Sequence, residues 1–291
     1  MGSIFIVVIF NELLSVLKDI AAKTCRNKNV NAKSILACYA FTIPAWLCIL
    51  FFHLDAAREA FSPVYFIVTG LWVVLVFAFI VMLITLLRYQ SLSEWQVLQF
   101  CFAIFLALLA DTLIFRETFA PLTLLGCMFI FSGGFLLNMQ RARLVEKMKR
   151  QPFIKILSAV LFMAFSSVCF IALYKFGLNH MSAAPLFHVA LSQILVFTLF
   201  FVCGFKSLAC AFKDRRITIK EIVFFSASIF AINLMEFVIV YTLPLVVFFS
   251  IGMLKILVFA TLDIRNKELK FSTQTGMILM LIFSGIVFTA V

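Results

Sequence analysis

Residues 64–87 read VYFIVTGLWVVLVFAFIVMLITLL, twenty-four consecutive residues without a charged side chain. About 20 apolar residues in a helix cross the hydrocarbon core of a bilayer, and a soluble domain rarely keeps so long a run free of charge. The stretch therefore predicts a transmembrane helix. The rest of the chain repeats the pattern: 65% of its 291 residues are hydrophobic and only 13% are charged. Soluble domains average roughly 45–50% apolar and about 25% charged. That composition excludes a soluble enzyme, a disordered chain and a secreted disulfide scaffold.

Outward from 64–87, ten apolar segments can be marked: 3–22, 34–53, 64–87, 94–115, 119–138, 153–175, 183–204, 221–242, 244–263 and 273–290. All are expected to be helices, because irregular backbone facing lipid leaves its hydrogen-bonding groups unmet. Pro63, Pro121, Pro152, Pro185 and Pro244 fall at or near segment starts, where proline costs little. Pro44 alone lies mid-segment and predicts a kink. The N-terminus lacks a basic region and a small-residue cleavage site, so it reads as a retained first span and not a signal peptide.

The connections after the first, third, fifth, seventh and ninth segments hold nineteen of the 24 basic residues; the other side holds Arg58, Arg116 and Lys175. By the positive-inside rule the basic side is cytoplasmic and both termini lie outside. This accounts for the net charge of +11 without nucleic acid. The eight cysteines are scattered, with no CxxC pair and no ligand spacing to His, so neither a disulfide framework nor a metal site is expected. No phosphate loop, HExxH, GxSxG or nucleotide fingerprint is present, so the chain reads as neither an enzyme nor a binder of a cofactor.

An internal repeat emerges at an offset of 152 residues. Ile130-Phe131-Ser132-Gly133 falls on Ile282-Phe283-Ser284-Gly285, Ser15-Val16 on Ser167-Val168, Lys23 on Lys175 and Tyr89 on Tyr241. Residues 1–150 and 151–291 then form two repeats of five helices. Five is odd, so the second copy must enter the membrane from the opposite side. The expected fold is an all-α membrane protein of ten transmembrane helices in two inverted five-helix repeats, an architecture of many secondary transporters.

The end of the first half, LRYQSLSEWQVLQFCFAIFLALLADTLIFRETFAPLTLLGCMFIFSGGFLL, carries a charged Arg116-Glu117 turn and a Gly126-x6-Gly133 spacing. This resembles the EamA-like ten-helix branch of the drug/metabolite transporter superfamily. The end of the second half departs from the pattern, with Lys255 before it and Gly276 and Gly285 spaced more widely. The resemblance implies a transporter fold and no particular substrate. Its members are commonly placed with both termini cytoplasmic, whereas the charge count here places them outside. The string NELLSVLK, residues 11–18, resembles the first helix of small multidrug resistance proteins, in which an embedded glutamate serves both proton and drug.

Ionisable residues inside spans need a partner or a wet cavity, and they are few. Asn11, Glu12, Ser15, Lys18 and Asp19 share one face of the first helix. Asn233 and Glu236 share a face of the eighth, and Lys255 lies near the centre of the ninth, at a depth that would let it pair with Glu236. His188 and Ser192 share a face of the seventh; His188, close to Pro185, reads as an interfacial packing residue with a proton relay as the alternative. Asp111 reads as an interfacial ion-pair partner of the Arg116 turn. Tyr89 and Tyr241 occupy matching places as headgroup anchors or cavity residues. The expected partners are a small organic substrate, protons and the lipid bilayer of a bacterial inner membrane, with a homodimer left open. The expected function is proton-coupled secondary transport with Glu12 or Glu236 as the coupling group. A flippase for a lipid-linked sugar or lipid, or a non-transporting membrane subunit, is the alternative.

Overall fold

A computed structural model describes residues 2–57, 62–86, 94–145, 153–180, 184–265 and 272–290. Among them every regular element is helical. The first segment forms α1 (Gly2–Asn27); the second is divided into α2 (Ala32–Tyr39) and α3 (Ile43–Phe52), followed by a short α4 (Leu54–Ala57). Next come α5 (Pro63–Leu86), α6 (Glu94–Leu113), α7 (Pro121–Val145), α8 (Phe153–His180), α9 (Pro185–Lys213) and α10 (Ile219–Thr242). The ninth segment is divided into α11 (Leu245–Gly252) and α12 (Leu254–Arg265), and α13 (Thr273–Ala290) ends the described chain. Each marked segment thus coincides with a helix or with two consecutive ones. Among the described residues six stretches are long and apolar enough to cross a membrane: Ala32–Phe52, Pro63–Met82, Val160–His180, Pro185–Lys213, Ile219–Thr242 and Thr273–Ala290.

The break between α2 and α3 is the expected Pro44 kink, realised as a 3-10 turn over Ala40–Thr42. Proline has no N–H to give and its ring crowds the carbonyl four residues back, so the α-ladder tightens ahead of it. Thr42 Oγ1 donates to the Tyr39 carbonyl at 2.7 Å. The break at Met253 has no proline. There, an added β-carbon on Gly252 would stand 2.5 Å from the Phe100 ring. Glycine lets α6 press onto that backbone.

The chain packs as two units. The first comprises Met1–Tyr89 and Cys169–Thr242, the second Gln90–Val168 and Leu243–Val291. Neither coincides with residues 1–150 or 151–291; each draws helices from both. In the first unit α2 packs on α9, α1 on α10, and α5 on α9. Tyr39 sits among Phe197, Phe200 and Phe225, with ring centres 6.3–6.4 Å away. Gly204 lets α9 approach the Lys33 carbonyl of α2.

In the second unit α7 and α13 form a close seam. A β-carbon added at Gly126 would stand 2.7 Å from the Gly285 carbonyl oxygen, and one at Gly285 would stand 2.7 Å from the Gly126 carbonyl oxygen. One added at Gly285 would also meet Ile130 Cγ1 at 2.7 Å, and one at Gly133 would meet Ile282 Cγ1 at 2.7 Å and the Ile278 carbonyl at 3.4 Å. Partners descend along α13 as positions climb α7, so the two helices are antiparallel. Small residues that admit backbone contact drive such association in lipid, where burial of apolar surface offers little. Ala103 and Ala107 of α6 are fully buried in the same unit.

Asp111, expected at an interfacial ion pair, is instead fully buried: its Oδ2 accepts the Val246 N–H at 2.8 Å. The carboxylate caps the first turn of α11.

Candidate functional site

A helix in water hides its apolar face. α1 does the reverse: Asn11, Glu12, Ser15 and Asp19 are buried while Ile6, Ile9, Phe10, Leu13 and Leu17 are exposed. Elsewhere Phe52, Ile67, Leu113 and Val202 are each at least 70% exposed. Polar groups inside and apolar groups outside are what an apolar solvent selects. These features mark an all-helical integral membrane protein.

On the inner face of α1, Asn11 Nδ2 donates to Glu12 Oε1 at 3.3 Å, and Lys18 Nζ lies 3.7 Å from Asp19 Oδ1. α10, against which α1 packs, carries the other polar face. There Asn233 Nδ2 donates to Gln193 Oε1 of α9 at 3.0 Å, with both side chains buried. Glu236 is half-buried.

His188 is fully buried. Its Nδ1 shares a hydrogen bond of 2.8 Å with the Tyr65 hydroxyl of α5. An added β-carbon on Gly177 of α8 would run into the imidazole, so that glycine leaves the ring its room. Aromatic rings continue from it: Tyr174 at 5.4 Å, then Trp72 stacked on Tyr174 at 5.5 Å. Three consecutive rings on three helices carry a buried polar atom without a hydrogen-bond partner among the described residues: His188 Nε2, Tyr174 Oη and Trp72 Nε1. Ser192 Oγ is in the same condition one turn along α9 from His188. Each such group costs about 1–3 kcal/mol in desolvation. A run of them on one ring stack is a place where water or a ligand returns the missing bonds.

The structure thus brings His188, Ser192, Asn233 and Glu236 into the first unit with the α1 residues. Lys255 belongs to the second unit. Tyr241 is exposed at the end of α10 with its ring 6.0 Å from Phe237, the setting of a headgroup anchor. Tyr89 lies outside the described residues. Sequence reasoning passed over Tyr65, Trp72, Tyr174 and Gln193. The available signal was Trp72, well inside its apolar segment, with Tyr65 and Tyr174 just within the ends of theirs, where a polar ring atom needs a partner. It also took Lys175 for a connecting residue, but α8 runs on to His180 and buries Lys175 within it. Among the described residues no three His, Cys, Asp or Glu are grouped to hold a metal ion.

No family model matches the chain, and no curated protein matches it. Among solved structures, one described only as the crystal structure of a protein has a TM-score of 0.63 at 12% identity, covering 99% of this chain and 97% of that one. At that identity the likeness concerns the fold alone.

Proposed function

We propose that the chain is a secondary-active transporter of a small organic metabolite or drug. It is built from ten spans in two inverted five-helix repeats and coupled to protons through a buried carboxylate. The observation that carries this reading is the exchange symmetry of the α7–α13 seam. Shift each residue by the sequence offset of 152 and swap the halves. The contact of Gly126 with Gly285 becomes that of Ile278 with Gly133, and Ile130 with Gly285 becomes Ile282 with Gly133; all four contacts occur. Two copies of one unit threaded in opposite directions produce such a seam. The packing of α2 on α10 likewise answers to that of α9 on α5. The packing of α1 on α10 answers to the contact of α8 with α5, made by Trp72–Tyr174 and Phe79–Phe170. The unit borders, Tyr89 and Thr242, differ from that offset by one residue.

Inverted repeats can rock about a shared axis and open one interior to either side in turn. That interior would be the buried polar face of the first unit, with Glu12 or Glu236 carrying the proton and the His188–Tyr174–Trp72 rings meeting substrate. The resemblance to EamA-like drug/metabolite transporters supports the same class. The distribution of basic residues supports a cytoplasmic basic side, with both termini outside, in a bacterial inner membrane.

The test begins with a growth screen against metabolites and toxic compounds, with and without the gene, to supply a substrate. In proteoliposomes, Glu12→Gln is then expected to abolish the pH dependence of flux. Unchanged flux with an unchanged pH profile removes Glu12 from the mechanism.

A further inference from the structure

We infer that Lys28 and Glu221 form a latch holding the C-terminal end of α1 against the N-terminal end of α10 on the basic side of the first unit. Ser62 and His180 form its weaker counterpart on the opposite side. The inference rests on the inverted-repeat reading, which is what sets the two pairs at opposite sides.

Lys28 Nζ lies 2.8 Å from Glu221 Oε1. Exposed ion pairs usually contribute little, because two long side chains must be ordered to form them. Here both ends are ordered beforehand. Glu221 Oε2 accepts the Thr218 N–H at 2.7 Å and the Thr218 hydroxyl at 2.9 Å, while Thr218 Oγ1 accepts the Glu221 N–H at 3.3 Å. This capping box fixes the carboxylate at the start of α10. On the other side Lys28 follows the last turn of α1, where the Val30 N–H closes back on the Cys25 carbonyl at 3.1 Å and Asn29 takes a left-handed φ of 60°. That is a Schellman-type helix end, and it aims the lysine at α10. The hydrogen bond to Glu221 and the carboxylate charge raise the Lys28 ammonium above its ordinary range.

The 152-residue offset carries Lys28 onto His180, the last residue of α8. His180 Nε2 meets the Ser62 hydroxyl at 3.4 Å, directly before the first turn of α5, and its ring stacks on Tyr65 at 6.1 Å. In both places the first helix of one half ends against the start of the third helix of the other. One contact is a charge-assisted bond, the other a long contact between an imidazole and a hydroxyl.

A native reporter sits beneath the stronger latch. Cys25 is 1% exposed, and its thiol is directed at Glu221 Oε1 at 3.8 Å. In nanodiscs holding the full chain, alkylation by neutral iodoacetamide can be read at Cys25 alone by peptide mass spectrometry, so the other seven cysteines stay. Lys28→Ala is expected to raise the Cys25 rate about threefold. Electrostatics alone predicts the opposite: Lys28 is a positive charge beside the thiol, and losing it makes thiolate scarcer. Acceleration therefore reports opening. Lys28→Met serves if Lys28→Ala fails to fold, and Lys28→Arg, which keeps the charge and leaves the Glu221 cap intact, is expected to hold the rate near that of the wild type. A rate at or below that of the wild type in both Lys28→Ala and Lys28→Met overturns the latch. His180→Ala, by loosening the opposite side, is expected to slow Cys25 labelling at least about twofold. Acceleration by Lys28→Ala together with indifference to His180→Ala keeps the latch but overturns alternation between the sides, and with it the transport reading.

Discussion

Replacing Gly285 by alanine puts a methyl group where the seam has no room. The new carbon would stand 2.7 Å from the Gly126 carbonyl oxygen and 2.9 Å from the Ile130 nitrogen, both backbone atoms that no rotamer change can move. Ordinary contact begins near 3.4 Å, so α7 and α13 must part by roughly 0.7 Å along their length. Overpacking of this kind costs about 1–3 kcal/mol; we expect about 2 kcal/mol for Gly285→Ala and the same for Gly126→Ala, whose environment is the reciprocal one. In scanning fluorimetry of micelle-held protein this is a fall in Tm of about 5 °C. The double variant should fall short of the sum by about 1 kcal/mol, because the second methyl enters a seam the first has already opened. Gly70→Ala is the control: nothing lies within 4 Å of the added carbon, so its Tm should hold or rise slightly. A Gly285→Ala protein melting within about 1 °C of the wild type, or a strictly additive double variant, would refute the reasoning.

Two further predictions follow from the same kind of geometry. Asp111→Ala strips the buried Val246 N–H of its acceptor and should cost about 1–3 kcal/mol in the same melting assay, whereas Asp111→Asn keeps an acceptor oxygen and should recover most of it; equal losses in the two would disprove the capping role. Gly177→Ala should displace the His188 imidazole from its bond to Tyr65 and lower Tm, yet have little added effect once His188→Ala has removed the ring. A full Gly177→Ala penalty in the His188→Ala background would mean that the imidazole is not what the methyl meets.

Much of this was legible in the residues. Charge-free runs located the helices because lipid leaves the backbone no alternative, and Pro44 marked the break in the second segment by its missing donor. The inward polar face of α1 was visible as periodicity: Asn11, Glu12, Ser15 and Asp19 lie along one stripe. Gly126 and Gly133 stood out only as a spacing that resembles a known family; that they admit a close approach needed coordinates. The close approach of Phe100 to Gly252, beside the Met253 break, spans 152 positions and is invisible to any local pattern. Asp111 was misplaced because its partner, Val246, is 135 residues distant. The Trp72–Tyr174–His188 stack was hidden by its surroundings: among 38 phenylalanines an aromatic side chain carries no periodic signal, and only tertiary packing sets these rings in series.

The inside-out character of α1 bears on how the protein is made. A leucine at the centre of a nascent helix returns only about 0.3–0.6 kcal/mol on entering the bilayer, while a centred charge costs about 2.5–3.5 kcal/mol. α1 carries Glu12, Lys18 and Asp19 and is absent from the six helices apolar enough to cross by composition. On its own it is a poor passenger for the translocon. It should linger at the interface until Ala32–Phe52 and then Ile219–Thr242 arrive, so a segment synthesised before both would settle after them.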